Sequence, residues 1–120
     1  FSSDFPYFRL SQPERFIGVL VPEHLRSRWS LDIRGDQIAL PCIVNQNAAI
    51  DLFHYDSDKS YAGRRAAYKL IEPRLTNSSW VIMDDIHDNL FFRDWVTHHG
   101  LSYTIFEFEG KFVGLARWSE

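Results

Sequence analysis

Glycine is scarce and dispersed in this chain. Its six residues, Gly18, Gly35, Gly63, Gly100, Gly110 and Gly114, never cluster, so no G-x-G-x-x-G phosphate loop exists. Cysteine occurs once, as Cys42, which excludes an internal disulfide and fits a reducing, cytoplasmic setting. Next to Pro41 and among apolar neighbours, that thiol reads as buried. No basic run is present, and a net charge of −3 argues against binding nucleic-acid phosphates. No stretch is long and apolar enough to span a bilayer, so no membrane partner is expected. A nucleophile elbow, a zinc-spaced Cys/His set and a P-loop are all missing, so hydrolase, zinc and nucleoside-triphosphate chemistry find no support. The opening Phe1-Ser2-Ser3-Asp4 is neither a signal peptide nor an initiator methionine and reads as the interior of a longer chain.

Aromatics, by contrast, are abundant: 16% of the 120 residues, ten of them Phe. That calls for a well-filled core or for an apolar face covered by something else. The length suits one small domain and is short for a full doubly wound fold. Two runs, Ile50–Tyr55 and Val81–Met83, climb through apolar residues and pass into carboxylates, Asp56 in one case and Asp84-Asp85 in the other. Buried parallel strands read as continuous apolar runs, and ligands bind where such strands hand the chain to a loop. Three carboxylates side by side on that edge need a metal, a cationic ligand or several backbone N–H donors.

The periodicity predicts the remaining elements. Residues 1–14 read as loop; Glu14–Leu20 reads as a helix, followed by a second turn from Pro22 to Arg28 with proline at its first position. Trp29–Ile33 alternates as a short strand and Gly35-Asp36 ends it as a turn. Gln37–Val44 reads as a short helix weakened by Pro41. A helix follows from Tyr61 to Leu75, with Ala62, Ala66, Ala67, Leu70 and Ile71 at helical spacing and Arg and Lys on the other face, and Asn77-Ser78-Ser79 reads as the connecting turn. Trp80–Met83 is the next strand and Asn89–His98 a helix ended by Gly100. Leu101–Glu109 and Lys111–Trp118 form a hairpin turning at Gly110. The order predicts an α/β fold: a Rossmann-like, mostly parallel sheet with helices and a C-terminal antiparallel hairpin. Residues 1–28 would be a helical and loop lead-in, and 29–118 the sheet and its helices.

The stretch Ile50-Asp-Leu-Phe-His-Tyr-Asp-Ser-Asp-Lys-Ser-Tyr61, the Ala-rich helix, Pro73-Arg-Leu75 and Trp80-Val-Ile-Met-Asp-Asp-Ile86 together resemble the second half of class I S-adenosylmethionine-dependent methyltransferases. The likeness is greatest to the branch acting on hydroxyls of sugars and catechol-like molecules. Trp29–Asp36 looks like that family's third strand with its Gly-Asp turn, and the closing hairpin like its last two strands. The family's glycine-rich cofactor loop is missing, so the resemblance implies a partial domain whose first βαβ unit is absent.

On this resemblance Asp56 holds a divalent cation, Mg²⁺, with Asp84 and Asp85. Lys59, three residues past Asp56, is the general base, catalytic together with Asp56. Asp36, counted with Asp56 on the cofactor-binding side, accepts from the adenine amino group of S-adenosylmethionine. Each has a plainer alternative: Asp56 as a cap, Lys59 as a solvated loop charge, Asp36 as an ordinary turn residue. Adjacent Asp84 and Asp85 point opposite ways, so only one need face the site. His87 is a substrate contact or a spare base, Asp88 starts a helix, and His54 reads as a satisfied core histidine. The implied partner is a small-molecule hydroxyl acceptor. The rival expectation is a non-catalytic α/β module that binds a partner, as a homodimer or with the missing N-terminal half.

Overall fold

The computed structural model describes residues 1–119. The chain divides into two compact units, residues 1–46 and the remainder from Asn47 onward. In the first unit, strand β1 (Ser2–Ser3) pairs in parallel with β2 (Leu31–Asp32), Ser2 lying opposite Leu31. The expected strand at Trp29–Ile33 is thus present but short, and its partner is the chain's own beginning. The helix expected over Glu14–Leu20 is reduced to one 3₁₀ turn at Pro13–Arg15. Gly18 explains this: its φ is +68°, and a Cβ there would lie 1.9 Å from the Trp29 ring. A left-handed residue under an indole ends any helix that reaches it. The indole Nε1 donates to Ser2 Oγ at 2.9 Å. Pro22 stands just ahead of a four-residue helix, α1 (Glu23–Arg26), instead of inside it. Helix α2 (Asp36–Gln46) is longer than expected and carries Pro41 within it. Cys42 is only half-buried; the Arg34 guanidinium lies 3.8 Å from its Sγ, which corrects the expectation of a buried thiol.

The second unit holds β3 (Ile50–Tyr55), α3 (Tyr61–Ile71), β4 (Leu75–Met83), α4 (Phe91–His99), β5 (Ser102–Phe108) and β6 (Lys111–Arg117). Its sheet has the order β3-β4-β6-β5. Only β3 and β4 pair in parallel; β4–β6 and β5–β6 are antiparallel. The sheet is therefore mixed, not mostly parallel. The second hairpin strand, β6, occupies the place beside β4, Val81 facing Ala116, and pushes β5 to the edge. The hairpin turns at Glu109-Gly110, both at positive φ (50° and 76°), which is what a two-residue turn matched to strand twist demands.

Asn77-Ser78-Ser79 is not a turn between elements but part of β4. The register shows how turn-type residues come to lie in a strand: Ile50 faces Leu75 while Leu52 already faces Trp80, so the intervening residues of β4 bulge. The buried Ser79 hydroxyl closes that bulge, accepting from Thr76 N at 2.8 Å and donating to the Ile50 carbonyl at 2.5 Å. Over the sheet, α3 buries Ala67, Tyr68 and Ile71 and α4 buries Phe91, Phe92, Trp95 and Val96. The Tyr68 ring stands edge-on to Phe91 at 5.1 Å and to Trp95 at 4.8 Å, geometry that aromatic quadrupoles favour. Only part of the aromatic content is used in this way, since Trp80, Tyr103, Phe106 and Phe108 in the same unit stay exposed; the carboxyl ends of β3 and β4 are fixed beside each other.

Candidate functional site

Two loops leave that edge. The first, residues 56–60, joins β3 to α3; the second, 84–90, joins β4 to α4. Asp84 N donates to the Tyr55 carbonyl at 3.1 Å, so the loops start in register. Lys59 reaches across between them. Its Nζ lies 2.9 Å from Asp56 Oδ1 and hydrogen-bonds Asp85 Oδ2. Its carbonyl accepts from Asn89 Nδ2 at 2.6 Å, while Asn89 Oδ1 takes the N–H of Phe91 at the start of α4. The same loop is tied to α3: Ser60 Oγ accepts from Gly63 N at 3.0 Å, and Asp58 Oδ1 accepts from Ser60 N at 2.8 Å. Asp85 sits in the left-handed region, φ 48° and ψ 46°. The buried Arg64 guanidinium donates to the Asp84 and Asp85 carbonyls at 3.1 and 3.0 Å.

These contacts fix charge states. Hydrogen bonding to Asp85 raises the Lys59 pKa above its ordinary value; burial opposes it, and the pairing with Asp56 adds a lesser raise. Lys59 in turn holds the Asp85 carboxyl below its ordinary value. The Asp58 carboxyl is likewise lowered, first by the backbone N–H of Ser60. The site at rest is an ammonium bracketed by two carboxylates.

Of the residues singled out from the sequence, Asp56, Lys59 and Asp85 come together. Asp84 turns away: its Oδ2 lies 3.7 Å from His54 Nε2. That agrees with the opposite orientation of neighbouring residues, and it corrects His54, whose side chain is 53% exposed and not a core group. Asp36 belongs to the first unit, at the start of α2 after Gly35 with φ +80°. Asp88 does not start α4 but closes a 3₁₀ turn, Ile86–Asp88, ahead of it; its Oδ2 lies 3.9 Å from Arg64 Nη2. His87 is half-exposed, its Nε2 lying 3.7 Å from Asp88 Oδ1. Sequence reasoning missed Arg64; Asn89 it placed on this edge without a role. A charged residue in an amphipathic helix reads as solvated, and only the position of Arg64 four residues past Ser60, on the same side as the buried Ala67 and Tyr68, signals otherwise.

No group of three or more His, Cys, Asp or Glu side chains able to hold a metal ion occurs among the described residues. Two carboxylates, Asp56 and Asp85, do converge on one cationic position. Among the described residues no helix is long and apolar enough to cross a membrane. No family model matches the chain, and no curated protein matches it.

Proposed function

We propose that this chain is the C-terminal portion of a class I methyltransferase-like, Rossmann-type domain, whose parent reaction moves a methyl group from S-adenosylmethionine to a hydroxyl oxygen of a small acceptor. The observation that carries the reading is the Lys59 ammonium between Asp56 and Asp85 at the carboxyl edge of a parallel strand pair, where α/β sheets bind ligands. A second support is the closing hairpin, whose last strand lies antiparallel between β4 and β5. The sulfonium cofactor does not fit the described residues by themselves, since the dispersed glycines form no cradle for it. The chain's own residues account for the acceptor side. Asp56 and Asp85 orient Lys59 and hold it as the ammonium; as the incoming hydroxyl displaces these two carboxylates, Lys59 gives one ammonium proton to solvent, and its freed amine then takes the acceptor's proton. Asp56 and Asp85 are the carboxylates that would hold Mg²⁺, which takes one or two and keeps its waters, and they would do so only in place of the Lys59 ammonium that now lies between them. If bound, Mg²⁺ would lower the pKa of the acceptor hydroxyl.

Methyl transfer from labelled S-adenosylmethionine to a panel of catechols and sugars, with and without Mg²⁺, tests this on the whole protein. Lys59→Met is expected to lower kcat by roughly two orders of magnitude with cofactor affinity nearly unchanged. An absence of transfer to every hydroxyl, or a variant with normal kcat across pH, would overturn the reading. One observation favours a non-catalytic partner-binding module instead. Edge strand β5 is exposed along its length, with Tyr103, Ile105, Phe106 and Phe108 all open to solvent.

A further inference from the structure

The geometry assigns Arg64 as the positioning residue of the Asp85–Lys59 pair: by clamping the two backbone carbonyls that follow β4, it holds Asp85 in the left-handed conformation that aims its carboxylate at Lys59. The inference rests on reading that pair as the working end of the site. Its physical basis is the cost of burying a guanidinium. Arg64 is 1% exposed, and a buried charge is retained only where it is well paired. Its nearest carboxylate, Asp88, lies at 3.9 Å, and Nε and Nη1 find no hydrogen-bond partner among the described residues. The close contacts it does make are both from Nη2, to the Asp84 and Asp85 carbonyls. The placement therefore does little for the charge itself and much for the loop.

That loop needs holding. Asp85 has φ 48°, a region uncommon for side-chain-bearing residues; Asp enters it more readily than most, but it stays above ordinary φ in energy and needs contacts to hold it. Asp85 Oδ2 would leave Lys59 if this backbone relaxed toward ordinary φ. Lys59 is already fixed from its own side by Asn89 on its carbonyl. Arg64 and Asn89 thus hold opposite halves of one ion pair. The charged groups around it are Asp56 beside Lys59, His87 and Lys111 acting on Asp85, and Asp88 beside Arg64.

Nuclear magnetic resonance of the 120-residue chain reads both ends of this arrangement. The Asp85 HN–Hα coupling and Cα shift report its left-handed backbone, and the Lys59 ammonium protons are visible only while hydrogen bonds protect them from exchange. Arg64→Gln is expected to move the Asp85 signals to those of ordinary φ and to abolish the Lys59 ammonium signals. Both sets unchanged in a folded variant would overturn the assignment. Should Arg64→Gln not fold, Arg64→Lys combined with Asp85→Gly decides the matter. Glycine takes positive φ freely, so the melting-temperature drop caused by Arg64→Lys should be roughly halved or less in the Asp85→Gly background. An equal drop in both backgrounds would make Arg64 a packing residue only. Neither measurement depends on methyl transfer, so the clamp and the methyltransferase reading fail separately.

Discussion

Lys59 is where the charge balance of the second unit is most concentrated, and its pairing gives a pH dependence with a definite sign. The folded-state pKa of Asp85 lies below its ordinary 3.8, so the stability it contributes is present above that value and is lost as pH falls through the lowered one. The folded-state pKa of Lys59 lies above its ordinary 10.5, so its contribution is full below that value and is lost as pH rises through the raised one. The Lys59 side chain is 38% exposed, so solvent screening keeps the contribution modest. Lys59→Met should therefore be less stable than the parent chain on a plateau between these limits, and the difference should shrink toward both extremes. Urea midpoints of the two proteins from pH 2 to pH 11 provide the check. A difference as large at pH 2 as at pH 7 would mean that the ion pair contributes nothing to folding.

At the scale of elements, the loop from β3 to α3 inverts an ordinary helix rule. Alanine is normally favoured over glycine inside a helix by about 1 kcal/mol. At Gly63, the third residue of α3, a Cβ would stand 2.2 Å from Asp58 Oδ2. Asp58 cannot swing aside without giving up the Ser60 N–H. Gly63→Ala is accordingly expected to destabilise by about 1 kcal/mol or more through overpacking. In an Asp58→Ala background the same change should become neutral or stabilising, as measured by denaturant unfolding of the four proteins. Such local rules also mark what could be read from the sequence. β3, α3, α4 and the hairpin were legible because their apolar periods and Gly100 and Gly110 punctuation are local signals. The meeting of Asp56, Lys59 and Asp85 was legible because two strands ending in carboxylates can adjoin only at one edge. The bulge at Ser79 was not, since a polar run reads as a turn unless a partner strand is known to claim it. The strand order was not either: nothing in Lys111–Arg117 says that it will displace β5 from β4. Arg64 was hidden because its burial depends on two carbonyls supplied by a different loop.

For the molecule as a whole, the open question is how much of a cofactor site 120 residues contain. The second unit supplies an acidic edge already neutralised by Lys59, and its glycines close turns and make room for side chains without forming a phosphate or nucleoside cradle. Asp36, the residue expected to meet adenine, belongs to the other unit. A nucleoside bound against side chains alone, with no backbone N–H nest, lacks the donors that make such sites tight. The 120-residue chain should therefore bind S-adenosylmethionine with a dissociation constant no better than about 1 mM, equivalent to roughly −4 kcal/mol. Titration calorimetry up to millimolar cofactor should give no resolvable heat, and the Lys59 ammonium should be undisturbed. Micromolar binding would mean that this chain holds a cofactor site that needs no glycine-rich loop. If no binding is seen, sedimentation of the same sample separates the two functional readings. A concentration-dependent dimer lost on Phe108→Lys would point to the exposed strand β5, where Phe108 is 73% open, as the surface through which this chain works. A monomer at all concentrations would turn attention back to the acidic edge, where parallel strand ends call for a ligand.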